Sequence, residues 1–231
     1  MKLRLILLLL VLARGAAVAE ESWTTALSRM PLVTNVSVLN HTNCPQILLP
    51  SFQSNAIAKA LIFMPGATDE LYFFKRVHVS LTNTTPTIWD ALAALTNQSP
   101  LRLTYRAPFV LLYSGEDVME LDLTVNHEPT QKKLMAAKPL PHLQAIDRDW
   151  SQLLRMMKQQ IPAVLLPYEG TRGSWHFYRH TFAGWNLTPW EVMEATALAG
   201  KTKFTVVRRG VVFEVDPRVG ELPKLDRFPG R

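Results

Sequence analysis

Val79-Ser80-Leu81-Thr82-Asn83-Thr84-Thr85-Pro86-Thr87-Ile88-Trp89-Asp90-Ala91-Leu92-Ala93-Ala94-Leu95-Thr96 changes its apolar period once, and with it the structure it can form. Up to Leu81, apolar Val77, Val79 and Leu81 alternate with His78, Ser80 and Thr82, the period of a half-buried strand. Asn83 to Pro86 break that pattern; Thr85 suits a helix N-cap and Pro86 the first helical position. Ile88, Ala91, Leu92 and Leu95 then recur at i, i+3, i+4 and i+7, one apolar helix face. Asn97 to Pro100 close the helix. Leu101 to Tyr105 alternates again, Phe109 to Tyr113 is a continuous apolar run, and a last strand is expected within Met119 to Val125. The local order is β-α-β-β.

Working outward, the same order returns near the C-terminus. His176 to Phe182 reads as a strand, Gly184 to Asn186 as a turn, and Thr188-Pro189 repeats the pairing of N-cap and first-turn proline. Trp190 to Ala199 reads as a helix stopped by Gly200, followed by strands from Phe204 and from Val211 around a tight turn at Arg209-Gly210. A fainter first copy takes Ile47 to Pro50 with Phe52 as strand, then Asn55-Ala56-Ile57 and Ala60-Leu61 with Phe63 as helix, ending near Pro65-Gly66. Between the copies, Asn126 to Pro141 carries Pro129, Pro139 and Pro141 and reads as irregular. His142 to Gln160 reads as one helix, with Leu143, Ile146, Trp150, Leu153 and Met157 on a common face, and Ile161 to Leu166 as a further strand.

This pattern resembles the short βαββ modules at the N-terminus of secretins and of signalling TonB-dependent receptors. The resemblance rests on Val79 to Thr96, continued by Leu101 to Tyr105 and Phe109 to Tyr113. It covers about residues 45–125 well and 176–216 loosely, and it concerns apolar positions, not an invariant catalytic motif. It implies a small interaction domain of an envelope assembly. The long pore-forming domain of a secretin and the plug and barrel of a receptor are not in this sequence, so the resemblance implies neither pore formation nor transport. The expected fold is α+β, two or three small βαββ-type modules with mixed sheets, joined by a linker and a helix. The expected layout is a signal peptide (1–19), an N-terminal segment (20–44), a first module region (45–125), a linker (126–141), a helix with a second module (142–216) and a tail (217–231).

The N-terminus places the protein. Lys2 and Arg4 precede the apolar run Leu5 to Ala13, and Ala17-Val18-Ala19 is a small-x-small cleavage pattern, so export and a mature start at Glu20 are expected. The run is too short for a spanning helix, which needs about 20 apolar residues, so no integral span is expected after cleavage. The chain carries 25 Lys and Arg against 19 Asp and Glu, and three of the basic residues lie in 1–19. The remaining positive charge forms no stripe, which argues against a nucleic-acid partner. Cys44 is the single cysteine, so no internal disulfide is available and packing must supply stability. Five Asn-x-Ser/Thr sequons begin at Asn35, Asn40, Asn83, Asn97 and Asn186. They would be glycan acceptors in a eukaryotic secretory pathway. The lack of disulfides favours a bacterial periplasm or outer-membrane periphery instead.

Candidate chemistry is sparse. His176 and His180 would share one strand face, and are read as solvent-facing residues of an edge strand, not as metal ligands. Cys44 has His41 near it in sequence, but an inert buried thiol fits it better than a nucleophile. Asp147 and Asp149, two positions apart, do not share a helix face. No catalytic, metal or cofactor residues are therefore assigned, and no cofactor is expected. The residues assigned to partner binding are Val79 and Leu81 on one strand, Val212 on another, and the aromatic residues Trp89, Trp185 and Trp190. An exposed strand edge recruits a second chain by strand addition. The expected function is non-catalytic docking onto a protein partner in the envelope, or self-association. The alternative is an exported enzyme such as a hydrolase, with a site between modules.

Overall fold

Ala60–Met64 is the strand around which the molecule is organised, and all five of its residues are buried. The computed structural model describes residues 23–53, 55–64, 77–114, 121–161 and 179–215. Its elements, in chain order, are α1 (residues 23–28), β1 (Val38–Asn40), α2 (Cys44–Ser51), β2 (Ala60–Met64), β3 (His78–Ser80), α3 (Ile88–Gln98), β4 (Leu101–Arg106), β5 (Phe109–Ser114), β6 (Leu123–Val125), α4 (Glu128–Ala136), β7 (Leu140–Arg148), α5 (Trp150–Gln160), β8 (His180–Leu187), α6 (Pro189–Gly200), β9 (Thr202–Val207) and β10 (Gly210–Val215). The fold is α+β with mixed sheets, as the sequence implies. None of the described helices is long and apolar enough to cross a membrane.

Five strands form one sheet in the order β4-β5-β2-β8-β7, with β2 parallel to β5 and every other pair antiparallel. Strand β2 alternates between two cores. Ala60, Ile62 and Met64 face one side with Phe109, Leu111 and Phe182; Leu61 and Phe63 face the other with Val110, Leu112 and Ala183. The first core is closed by Leu134 of α4, by Trp150, Leu153 and Met157 of α5, and by Val192 and Met193 of α6. Phe204, Val206, Val211 and Phe213 of the sheet β10-β9-β6 complete it. The second is closed by α1, α2, α3 and the two-stranded sheet β1-β3, where Ile88, Ala91, Leu92 and Leu95 bury the predicted face of α3. Each of the larger of these side chains contributes about 2 kcal/mol by leaving water.

The β-α-β-β order occurs twice, as β3-α3-β4-β5 and as β8-α6-β9-β10. In both, the opening strand lies in a different sheet from the hairpin that closes the unit. Both helices start with a capping box. Thr188 accepts from the Glu191 amide and Glu191 accepts from the Thr188 amide, with Pro189 in the first turn. At α3 the cap is Thr87, not Thr85, because only Thr87 stands three residues before a carboxylate, that of Asp90.

Several expectations are corrected. The faint first copy is inverted: Cys44–Ser51 is helix, with Pro45 in its first turn, and Ala60–Met64 is strand. A strand buried on both faces reads as an unbroken apolar run and carries no period to distinguish it from helix. The segment 126–141, read as irregular, contains α4, since Pro129 sits where a helix start tolerates proline and Leu134 is fully buried. The single helix expected over His142 to Gln160 is a strand and a helix divided at Asp149, whose carboxylate accepts from the Gln152 amide. Gly184 to Asn186 is no turn; Gly184 pairs with Ala60 and Leu143 inside β8. The last hairpin turns at Arg208-Arg209, one residue earlier than expected, with Gly210 at φ 149. The signal peptide, the tail 217–231, His176 and the strand expected over Ile161 to Leu166, apart from Ile161 itself, lie outside the described residues.

Candidate functional site

Among the described residues three sheets leave six outer strands, and five of them are closed. On β1, the side-chain amide of Asn43 donates to the Val38 carbonyl (3.0 Å) and accepts from the Asn40 amide (2.7 Å). On β3, Gln98 does the same to one residue, accepting from the Ser80 amide and donating to the Ser80 carbonyl, both at 3.0 Å. Each side chain stands in for a neighbouring strand. β7 carries exposed Pro141, and its pairing with β8 slips between Ala145 and Arg148, around Asp147 at φ 50. Proline and bulges disqualify an edge from pairing. β4 presents exposed Arg102 and Arg106, and β6 is three residues long. Charge and shortness act to the same end.

β10 is the exception. It runs six residues without proline, and its register against β9 is unbroken from Gly210 to Val215. Val211 and Phe213 face the core, at 1% and 4% exposure, while Val212 and Glu214 face outward, half-buried. Glu214, the one charged residue of the strand, is drawn back onto β9 by Lys203 at 2.8 Å. None of the described residues bonds the outer edge of β10. Exposed Arg208 and Arg209 stand at the hairpin tip.

The assigned residues divide accordingly. Val212 lies on this outer strand. Val79 and Leu81 point into the second core, at 0% and 9% exposure. Trp89 is half-buried against Trp23, edge to face at 5.6 Å. Trp185 packs over Phe52 and His142 on the second-core side of the sheet, while Trp190 is buried against Phe204 in the first core. Trp185 and Trp190 therefore sit on opposite sides of the sheet and share no surface.

Two groups with chemical potential, His180 and Cys44, lie inside. His180 is wholly buried, contrary to the solvent-facing edge position expected, because β8 runs between β2 and β7. Its Nδ1–H donates to the Arg148 carbonyl at 3.2 Å, which leaves Nε2 as a lone pair with no partner among the described residues. Gly200 packs directly on Nε2, and the Trp150 ring stands 4.5 Å away between centroids. Burial pushes the imidazole down to about 4, against weaker opposing effects of the Arg148 bond and the Asp149 charge, so it is neutral at pH 7. Burial also pushes the Cys44 thiol up to about 12, far from a reactive thiolate. Among the described residues no three His, Cys, Asp or Glu side chains gather as a metal site requires. Glu194 on α6 is raised by burial, with Trp190 and Arg106 opposing. Compared with known proteins, the chain matches no family model, no curated protein and no solved structure.

Proposed function

We propose that this chain is an exported, non-catalytic protein-interaction module of a bacterial envelope assembly, which takes up its partner by strand addition along β10. One observation carries the reading: β10 is the single outer strand among the described residues left open, while five others are closed by amide side chains, proline, a bulge, charge or shortness. Long unguarded edges are selected against unless they are used. The signal-peptide pattern and the twice-repeated β-α-β-β order support placing the module in the envelope. The inaccessibility of His180 and Cys44 supports a binding role over a hydrolase.

The test is capture of the tagged chain from gently solubilised native envelopes, comparing wild type with Val212→Lys. Val212 faces outward, so lysine is accommodated there while adding the guard that edge strands commonly carry. A protein retained by the wild type and lost from Val212→Lys, with both melting at the same temperature, is the expected result. Equal retention by both, or retention of nothing, refutes it.

A further inference from the structure

Resting on the reading of β10 as a docking edge, we propose that protonation of His180 switches that edge off: the charged ring lifts α5 from the first core, and β10 loses the support of its core face. Three rings connect the two places. His180 stands 4.5 Å from Trp150, Trp150 stands 5.0 Å from Phe213, and Phe213 is a core-facing residue of β10. Trp150 is also the first residue of α5. The row therefore runs from the central sheet, through the start of a helix, to the docking strand.

A charged imidazole donates from both nitrogens and needs two acceptors. Nδ1 has the Arg148 carbonyl, but Nε2 has no partner among the described residues and Gly200 packs directly on it. A buried N–H of a cation without an acceptor is costly, so the protonated ring must reach water. Three elements cover it. β7 is paired to β8 from Leu140 to Ala145, and α6 buries every residue except Glu191 and Glu194. α5 is held by one face alone, through Trp150, Leu153 and Met157, so it is the cover that opens at least cost. The charged residues on the elements around the ring are Asp147 and Arg148 of β7, Asp149 at the start of α5, Arg179 before β8 and Lys201 after α6. Asp147 is engaged by Arg179 at 3.7 Å, and Asp149 is the one whose charge favours the proton.

The size of the effect follows from linkage. In the opened form the ring lies in water and takes its proton near 6.5, whereas the closed form refuses it down to about 4. Closure is thus fully favoured above pH 6.5 and weakens as pH falls, and the open population rises about tenfold between pH 7.5 and pH 5.5.

Hydrogen exchange at those two pH values, each corrected for the intrinsic rate, tests the opening without any partner. At both, α5 and β10 should be less protected than β2, the mark of a local opening, and acid should reduce their protection about tenfold. His180→Phe and His180→Asn, neither of which titrates, should abolish the acid effect; asparagine keeps a donor for the Arg148 carbonyl, and either variant suffices if the other does not fold. Protection of α5 and β10 equal to that of β2 means exchange only by whole-molecule unfolding, and overturns the inference. Protection that does not fall with acid, or that falls as far in the variants, also overturns it. Capture then tests the consequence: a partner held at pH 7.5 should be released at pH 5.5 by the wild type and kept by the folded variant. Retention by the wild type at pH 5.5 overturns the coupling to docking. Retention of nothing at either pH refutes the docking edge itself, a failure the exchange result does not share.

Discussion

Acidification from pH 7.5 to pH 4 should destabilise this protein through His180. The unfolded chain takes up a proton on this residue near its ordinary value of 6.5, whereas the folded protein refuses it down to about 4. Between those limits the unfolded state binds more protons, so stability is fully present above pH 6.5 and is lost as pH falls toward 4. The gap corresponds to about 3 kcal/mol, a large share of the roughly 5–15 kcal/mol by which domains are folded. Charged residues stand on each neighbouring element: Asp149 at the start of α5, Arg148 on β7, Arg179 before β8 and Lys201 after α6. Of these, Asp149 opposes the effect of burial. Two other groups act lower. The carboxyls of Asp90 and Asp149 are held below 3.8 mainly by backbone amides of Thr87 and Gln152, so their contribution is lost only at still lower pH. Glu194, raised by burial, has the opposite sign and gains stability on acidification. Comparison with His180→Phe separates them, since phenylalanine keeps the ring beside Trp150 and takes up no proton. Urea unfolding followed by tryptophan fluorescence, at steps between pH 7.5 and 4, should give a wild-type free energy that falls by about 3 kcal/mol relative to the variant. Parallel pH curves for the two proteins would refute the reasoning.

Two further outcomes follow from the packing. Gly200→Ala, which in an ordinary helix gains up to about 1 kcal/mol, should here cost about 1–3 kcal/mol, because the new Cβ would fall on the His180 ring. A raised melting temperature would contradict that contact. Cys44, fully buried and held as thiol, should react with a thiol reagent at pH 8 only as fast as the protein opens, and denaturant should accelerate it. Rapid complete labelling in native buffer would show that the second core is not closed around it.

What the sequence made legible was local. The face of α3 follows from four apolar positions, and the start of α6 from Thr188-Pro189 with Glu191 three residues beyond the cap. Where two local signals competed, only the three-dimensional partner decided. Thr85 and Thr87 are equivalent as residue types, but only the second has Asp90 within reach. Leu143 and Ile146 fit a helical period with Trp150, yet Leu143 and Ile146 serve opposite cores from a strand. For the candidate site, the alternation that turns Val212 outward is readable, but its place on an outer strand depends on sheet order. The closing roles of Asn43, the cap of α2, and Gln98, the last residue of α3, leave no trace in sequence, since any amide side chain at a helix end looks the same. The burial of His180 was hidden for the same reason: it depends on β7 arriving from an earlier segment to cover β8.

The position of β2 has a kinetic corollary. One of its neighbours, β8, lies far along the chain, with Ala60 joined to Gly184 and Phe63 to Thr181. A polypeptide growing from its N-terminus therefore carries its most apolar strand half-paired until most of the sequence exists. Contacts of such long range slow folding and prolong the life of sticky intermediates. A chaperone that holds the nascent chain until β8 is available would have its most valuable binding segment at Ala60–Met64, and shortening the protein before residue 187 should yield aggregates, not a smaller folded unit.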